Sequence, residues 1–469
     1  MELGARNSGV VSNANSTRLF SGFESHCIYC GGVMLKNSQR DSYIKPDQLC
    51  VGLYVHLDLN WTKHPFSFSS FKIEKQDQIA TIQNLGLQKI RYTPQKSDCN
   101  PPEVASITSA ATDAATEDKK SETVSNAAGS AAASQPVSPA FQEKLNLIQR
   151  MAKQAEKILE CEREFLTNLR LLKQLWQNLF ANPISVAEEA RSMVSSMAES
   201  AMMESEIAIH LMIEHKNGAD IYSHAMNVTV LAMILAKEMG RSLEEMKLIG
   251  LGALFHDVGC SDLPRRIKEK VEPLTAMEAE IMHQHCKKGI DICNKLELPY
   301  EALLVVWQHH ERIDGSGYPE RLKDKQISPL ANIVAVADAF DELCNPLNPT
   351  QSHTAHESLS IIYAQQRAHF DATTLTALVH CLGVYPPGTI VLLSNGFIGM
   401  VVGVNTKRPL KPVVLVYDAA NLKNEVVVID IEAEAGLSVT KTISPNQLSP
   451  EIFEYFSPGK RVSYYFKGV

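Results

Sequence analysis

The chain has 469 residues, 45% of them hydrophobic, with 45 Lys and Arg against 53 Asp and Glu for a formal charge of -8. That length exceeds one compact domain and the apolar content suffices for several cores, so a multidomain protein is expected. The acidic balance gives no global reason to bind DNA or an anionic membrane, and any anionic ligand must be held by a local site.

Residues 1–42 are rich in Ser, Asn and Gly and read as a poorly ordered extension. They have neither the basic start nor the apolar core of a secretory leader. Cys27 and Cys30 form a CxxC pair, but no second Cys or His pair follows at zinc-finger spacing, so no metal is expected there. Residues 43–93 read as a small α/β module. "LCVGLYVHLDL" alternates like a strand, "KQDQIATIQNLGL" has helical spacing, and "QKIRYT" is a short closing strand.

Residues 94–139, rich in Ala, Ser and Thr, bury too little to order themselves and read as a flexible linker. Residues 140–210 form a helical, coiled-coil-like connector. From Ile148 to Leu179 apolar residues recur at alternating steps of three and four, broken only by Glu162. That seam suits either antiparallel packing on the next helix or a homodimer through these helices.

Residues 211–384 are strongly helical, and residues 385–469 alternate apolar and polar residues between turn formers, as a β-rich C-terminal extension should. The fold class is therefore mainly α, with a small α/β module before the helical domain and β structure after it. No apolar run reaches the about 18 to 20 residues of a membrane helix. The cysteines lie scattered in apolar-periodic segments rather than in a disulfide framework. A cytoplasmic protein with no membrane partner fits both observations.

Within the helical region, polar residues interrupt apolar helices: His256 and Asp257 in "GALFHDVG", His285 in "EIMHQHCKKG", His309 and His310 in "VVWQHHE", Asp338 and Asp341 in "IVAVADAFDEL". One such histidine is ordinarily a satisfied core residue. Several imidazoles and carboxylates buried without partners would cost several kcal/mol, whereas around divalent cations they satisfy one another. Mixed His and Asp ligation without an organised thiolate set suits Fe(II) or Mn(II). The set is larger than one tetrahedral ion can use, so two or more ions bridged by a carboxylate such as Asp257 are expected. Such a pair supplies a hydroxide nucleophile and clamps a phosphoryl oxygen, the chemistry of phosphoester cleavage.

"LFHDVG" followed by "HHERIDGSGYP" resembles the HD-GYP family, the branch of the HD metal-dependent phosphohydrolases that hydrolyses the bacterial second messenger cyclic di-GMP. The match runs from about Leu211 to Val384. The flanking segments, "YIKPDQLCVGLYVHLDLNWTKHPFSFSSFKI" and "GVYPPGTIVLLSNGFIGMVVGVN", are similar to the N-terminal domain and C-terminal extension of the same group. The resemblance implies metal ligation by His224, His256, Asp257, His285, His309, His310 and Asp338, with Asp220 as an additional ligand if a third ion binds. It implies catalytic roles for His256, Asp257 and Asp314. Substrate contacts are implied for Arg312 and for the loop of Gly315, Gly317 and Tyr318, whose glycines let the backbone approach and whose Tyr318-Pro319 fixes the exit.

The chain departs from the family pattern at Cys260, where the family carries Lys, and in "ELCNPLNPTQSHTAH", which lacks the usual basic residue and Tyr-Arg. Fewer phosphate contacts should raise KM or lower turnover and leave the metal site in place. The expected function is cyclic di-GMP hydrolysis to the linear dinucleotide, GMP or both, with two or three Fe(II) or Mn(II) ions as cofactor and regulatory proteins as further partners. One alternative is a catalytically weakened cyclic di-GMP-binding or signalling protein. Another, an HD hydrolase acting on a different nucleotide, is disfavoured by the complete second motif.

Overall fold

The computed structural model describes residues 42–59, 61–102, 139–203, 220–405, 407–418 and 427–456. The Cys27–Cys30 pair and most of the expected linker lie outside them.

Near the start, four short strands, β1 (Ser42–Ile44), β2 (Tyr54–His56), β3 (Ser70–Lys72) and β4 (Ile90–Tyr92), pair antiparallel in the order β1-β4-β2-β3. The helix α1 (Gln76–Asn84) turns Ile79 and Ile82, three apart on one face, onto Val55, Ile73 and Ile90.

Two helices follow, α2 (Pro139–Asn178) and α3 (Pro183–Met203). Among the described residues, both ends of the apolar seam of α2 pack within the chain. Leu169, Leu172, Trp176 and Leu179 are buried in one core with Val186, Ala190 and Val194 of α3. Ile148 and Met151, toward the other end, pack instead on the C-terminal sheet.

The helical domain comprises α4 (Ile221–Glu238), α5 (Leu243–Phe255), α6 (Ala276–Lys295), α7 (Tyr300–Gln308), α8 (Pro329–Cys344), α9 (Ala355–Gln365) and α10 (Ala372–Leu382). Their starts are set locally: Ser242, Thr275 and Thr354 each cap a helix whose third residue is a Glu reaching back to the cap. Helices α4, α5, α7 and α8 share one core, in which Phe255 and Phe340 are almost fully enclosed. The sites of interest sit at the ends or edges of these helices, where a polar group can leave the core.

The C-terminal strands β5 (Ile390–Leu393), β6 (Ile398–Gly403), β7 (Val413–Tyr417), β8 (Val427–Asp430) and β9 (Val439–Thr442) form an antiparallel sheet ordered β8-β7-β6-β5-β9. One face is covered by Tyr455 and Phe456 of α11 (Pro450–Phe456). The other packs around Trp61 of the N-terminal module, and Phe68 stacks on Phe397 at 5.0 Å. Lys144 of α2 secures this junction: its buried ammonium donates to the carbonyls of Trp61, His64 and Phe66 at 2.6, 3.1 and 2.8 Å. Among the described residues no helix is long and apolar enough to cross a membrane.

Candidate metal centre

His224 comes from the first turn of α4, His256 and Asp257 end α5, and His285 lies mid-way along α6. His309 and His310 follow the last turn of α7, and Asp338 faces inward from α8. Backbone proximity assembles them. A Cβ on Gly259 would lie 2.0 Å from the carbonyl oxygen of His285, so only glycine lets the turn after Asp257 rest on α6. This is why the residue two after Asp257 is glycine.

Two groups of potential ligand atoms result, each within 4.8 Å of one another: Asp257, His285, His309 and His310, and His224, His256 and Asp338. The two carboxylates span the groups. Asp257 directs Oδ1 to His285 (3.4 Å) and His309 (3.8 Å), and Oδ2 to His256 (3.7 Å) and His224 (3.9 Å). Asp338 directs Oδ1 to His224 (3.1 Å) and Oδ2 to His310 (3.5 Å).

The residues fit divalent cations on two observations. First, Nδ1 of His256, His285 and His309 donates to the carbonyls of Ala253, Met282 and Val306 at 2.7, 2.7 and 3.0 Å, three residues back on each helix. That fixes the tautomer and turns a bare Nε2 lone pair inward: Nε2 of His256 lies 3.2 Å from that of His224, and the lone pairs of His285 and His309 face each other at 3.2 Å. Facing lone pairs need a cation between them. Second, Oδ2 of Asp338 is buried without a hydrogen-bond partner, an arrangement that costs roughly 1–3 kcal/mol unless something else satisfies it.

Electrostatics keeps the set ready for metal. Burial pushes His256 down to about 4 and lowers His285 and His310, so these rings are neutral near pH 7. Asp257 and Asp338, although burial opposes it, are held below the usual carboxylate range by the surrounding histidines. His224 is the exception. Burial alone would lower it, but hydrogen bonds with Asp338 and Asp341 hold it well above the ordinary histidine value.

The loop after His310 closes one side. Buried Glu311 accepts the backbone N–H groups of Glu320 and Leu322 at 2.7 and 2.9 Å, tying its two ends together. A Cβ on Gly317 would lie 2.4 Å from the nitrogen of Arg312 and 2.5 Å from the oxygen of His310, so the motif folds back on its own start. Gly315 has φ +82. The Tyr318–Pro319 bond is cis. Tyr318 stacks between His283 (3.7 Å) and His310 (4.7 Å), and so packs on a ligand ring. Arg312 donates to the carbonyls of His309 (3.1 Å) and Glu311 (3.0 Å) and lies over Phe370.

Seven of the expected ligands thus converge, and two expected residues do not. Asp220 caps α4, accepting from the nitrogen of Ser223 at 2.7 Å, and pairs with Lys173 at 3.1 Å; it belongs to neither ligand group. The helix start claims its carboxylate. Asp314 is engaged with Ser316 at 2.6 and 2.9 Å and lies 3.7 Å from His369, on the loop rather than among the ligands. Cys260 is buried, burial followed by the charge of Asp257 raises its thiol, and it belongs to neither ligand group.

Sequence reasoning singled out Asp341 but gave it no role. Its Oδ2 accepts from Nδ1 of His224 at 2.7 Å, and its Oδ1 accepts from Asn227 and Asn345 at 2.9 and 2.8 Å. Its position three residues after Asp338 was the available signal. Glu311 and His283 carried none.

Comparison with known proteins agrees with this geometry. Residues 195–374 match the HD domain, residues 43–211 a domain of unknown function (DUF3391), and residues 390–450 a KOW domain associated with the HD domain. The chain is similar to the cyclic di-GMP phosphodiesterase PA4108 of Pseudomonas aeruginosa, with 33% identity over 43% of this chain and 49% of the relative. It is also similar to the cyclic di-GMP phosphodiesterase response regulator RpfG of Xanthomonas campestris, with 30% identity over 44% and 51%. A third relative is the 3'3'-cGAMP-specific phosphodiesterase 2 of Vibrio cholerae, with 32% identity over 34% and 30%. The chain therefore spans about half the length, or less, of these curated relatives. The HD domain match over residues 195–374 encloses both ligand groups and an unbroken HHERIDGSGYP, so this segment is an HD domain carrying the HD-GYP pattern.

Proposed function

We propose that this chain is a metal-dependent phosphodiesterase hydrolysing cyclic di-GMP to the linear dinucleotide, GMP or both. The observation that carries the reading is the pair of ligand groups spanned by Asp257 and Asp338, with imidazole lone pairs turned inward. Two ions, Fe(II) or Mn(II), held by His224, His256, Asp257, His285, His309, His310 and Asp338 would supply the nucleophile and polarise the phosphoryl group. Helix backbone and Asp341 fix the imidazoles so that no reorganisation is needed when charge develops. Arg312 stands beside His310 with guanidinium donors to spare for a non-reacting phosphate oxygen. Tyr318 packs on the centre and restricts water from that side. Because Asp220 is occupied as a helix cap, the reading has two ions rather than three. It places the enzyme in the cytoplasm, with α2 and α3 linking the N-terminal module to the catalytic domain. Homodimerisation and regulatory partners are compatible with that layout.

The second reading is a binding protein with eroded turnover, favoured by the buried thiol of Cys260 in place of a cationic side chain. Anaerobic turnover of cyclic di-GMP with Fe(II) or Mn(II), beside a His256→Ala, Asp257→Ala variant and elemental analysis, decides between them. Turnover lost in the variant supports the hydrolase. A metal-loaded protein that binds the dinucleotide without cleaving it supports the second reading.

A further inference from the structure

A cavity of about 720 Å³ opens beside the metal centre, within the range of small-ligand pockets. Arg312, two residues after His310, and Ala339, next to Asp338, form its inner wall. The outer wall includes Gln351 and His353, from the segment "NPLNPTQSH" where the family's basic pattern is missing. Among the residues lining this cavity there is one carboxylate, Glu342. It lies one helical turn after Asp338 on α8, on the same helix face, reaches solvent, and makes no hydrogen bond or ion pair with any described residue. Arg312, by contrast, is anchored through its carbonyl contacts and Phe370.

The rest is chemistry. A phosphodiester of a cyclic dinucleotide held at the ligand groups must place a base in the space alongside, because base and phosphate are tethered through one ribose. The base edges differ in what they offer a carboxylate. Guanine presents two adjacent donors, N1–H and the 2-amino group, which two carboxylate oxygens accept side by side. Adenine presents a donor at N6 next to an acceptor at N1, which a carboxylate repels. An unpaired carboxylate in a polar pocket beside the metals therefore discriminates between purines.

We propose that Glu342 reads the Watson–Crick edge of a guanine in this cavity, so that it determines the preference for guanine-containing cyclic dinucleotides. The proposal rests on the phosphodiesterase reading for the placement of the phosphate. The Glu342 carboxyl is raised to about 8 in the metal-free chain, first by desolvation on its pocket side, although its outer surface reaches solvent, and then by Asp338 and Asp257. Cations on those two residues would remove the part of that rise that Asp338 and Asp257 cause and so favour the ionised acceptor.

The test compares cyclic di-GMP and cyclic di-AMP as substrates for the full-length Mn(II)-loaded protein and for Glu342→Gln and Glu342→Ala, with metal content measured on each. Equilibrium dialysis of the two nucleotides runs in parallel. A Gln amide offers one acceptor and one donor, the complement of adenine. The ratio of kcat/KM for the guanine over the adenine dinucleotide should fall roughly 10- to 100-fold in Glu342→Gln, and fall without reversing in Glu342→Ala. An unchanged ratio in metal-loaded variants overturns the role of Glu342 and leaves the phosphodiesterase standing. Guanine-selective binding that Glu342→Gln abolishes, in a protein that cleaves neither nucleotide, supports Glu342 and overturns the hydrolase. A protein that binds neither nucleotide overturns both.

Discussion

Nδ1 of His224 lies 2.7 Å from Oδ2 of Asp341, and the other oxygen of that carboxylate is taken by Asn227 and Asn345. Asp341 therefore holds the His224 ring in one orientation with Nε2 turned to Asp338 and His256. Removing its charge in Asp341→Asn should lower metal affinity or turnover about 10- to 100-fold while the other ligands stay in place. A Mn(II) titration on the purified variant, beside its thermal unfolding, checks this. Wild-type affinity in Asp341→Asn would mean that the hydrogen bond does not position the ring.

Gly317 tests the loop. With backbone atoms of His310, Glu311 and Arg312 at 2.4 to 2.6 Å from any added Cβ, Gly317→Ala must push the motif off its own start. Overpacking of this kind costs about 1–3 kcal/mol. Because the displaced atoms flank two metal ligands, turnover should fall more than stability does. Melting temperature and kcat measured together separate the two effects, and an unaffected kcat would show that the loop is not part of the site.

The metal-free protein should lose stability as the pH falls from 6.5 toward 4. His256 has a folded value of about 4 against 6.5 in the open chain. Between those values the unfolded chain takes up a proton that the fold refuses, so its contribution is present above pH 6.5 and is lost on acidification. His285 and His310, also lowered by burial, act in the same direction. His224 acts oppositely: its folded value is raised, so its stabilisation is complete below 6.5 and fades as the pH rises through that folded value. Glu342, raised to about 8, acts in the same direction as His224 between 4.5 and 6.5, so three lowered histidines stand against two raised groups. Unfolding of the chelated protein at several pH values, with His256→Gln expected to flatten the slope, measures the balance; a midpoint that rises on acidification would contradict it.

Divalent metal should stabilise the fold through the same residues. At a free Mn(II) concentration a hundred times its dissociation constant, binding to the folded state alone adds about 2.7 kcal/mol per site. Addition of Mn(II) to chelated protein should therefore raise the unfolding midpoint, a chelator should reverse it, and His309→Ala should abolish most of it. An equal shift in His309→Ala would place the metal elsewhere.

Much of the centre was legible in the sequence because its ligands are polar residues inside apolar helices, a pattern that burial makes expensive unless a cation satisfies it. His256, Asp257, His285, His309, His310 and Asp338 each stand out that way, and the periods of the flanking segments announced helix or strand. What one dimension could not show was competition for a side chain. Asp220 has the right spacing from His224, but the first turn of α4 and Lys173 take its carboxylate. Asp341 looked like another helix acid until the fold set it against a ring 117 residues away. The seam of α2 fitted a partner helix equally well from this chain or another, and only the fold brings its two ends onto different domains. Periodicity and side-chain chemistry are local, whereas which group satisfies which is decided by contacts between residues far apart in sequence, and those exist only once the helices have packed.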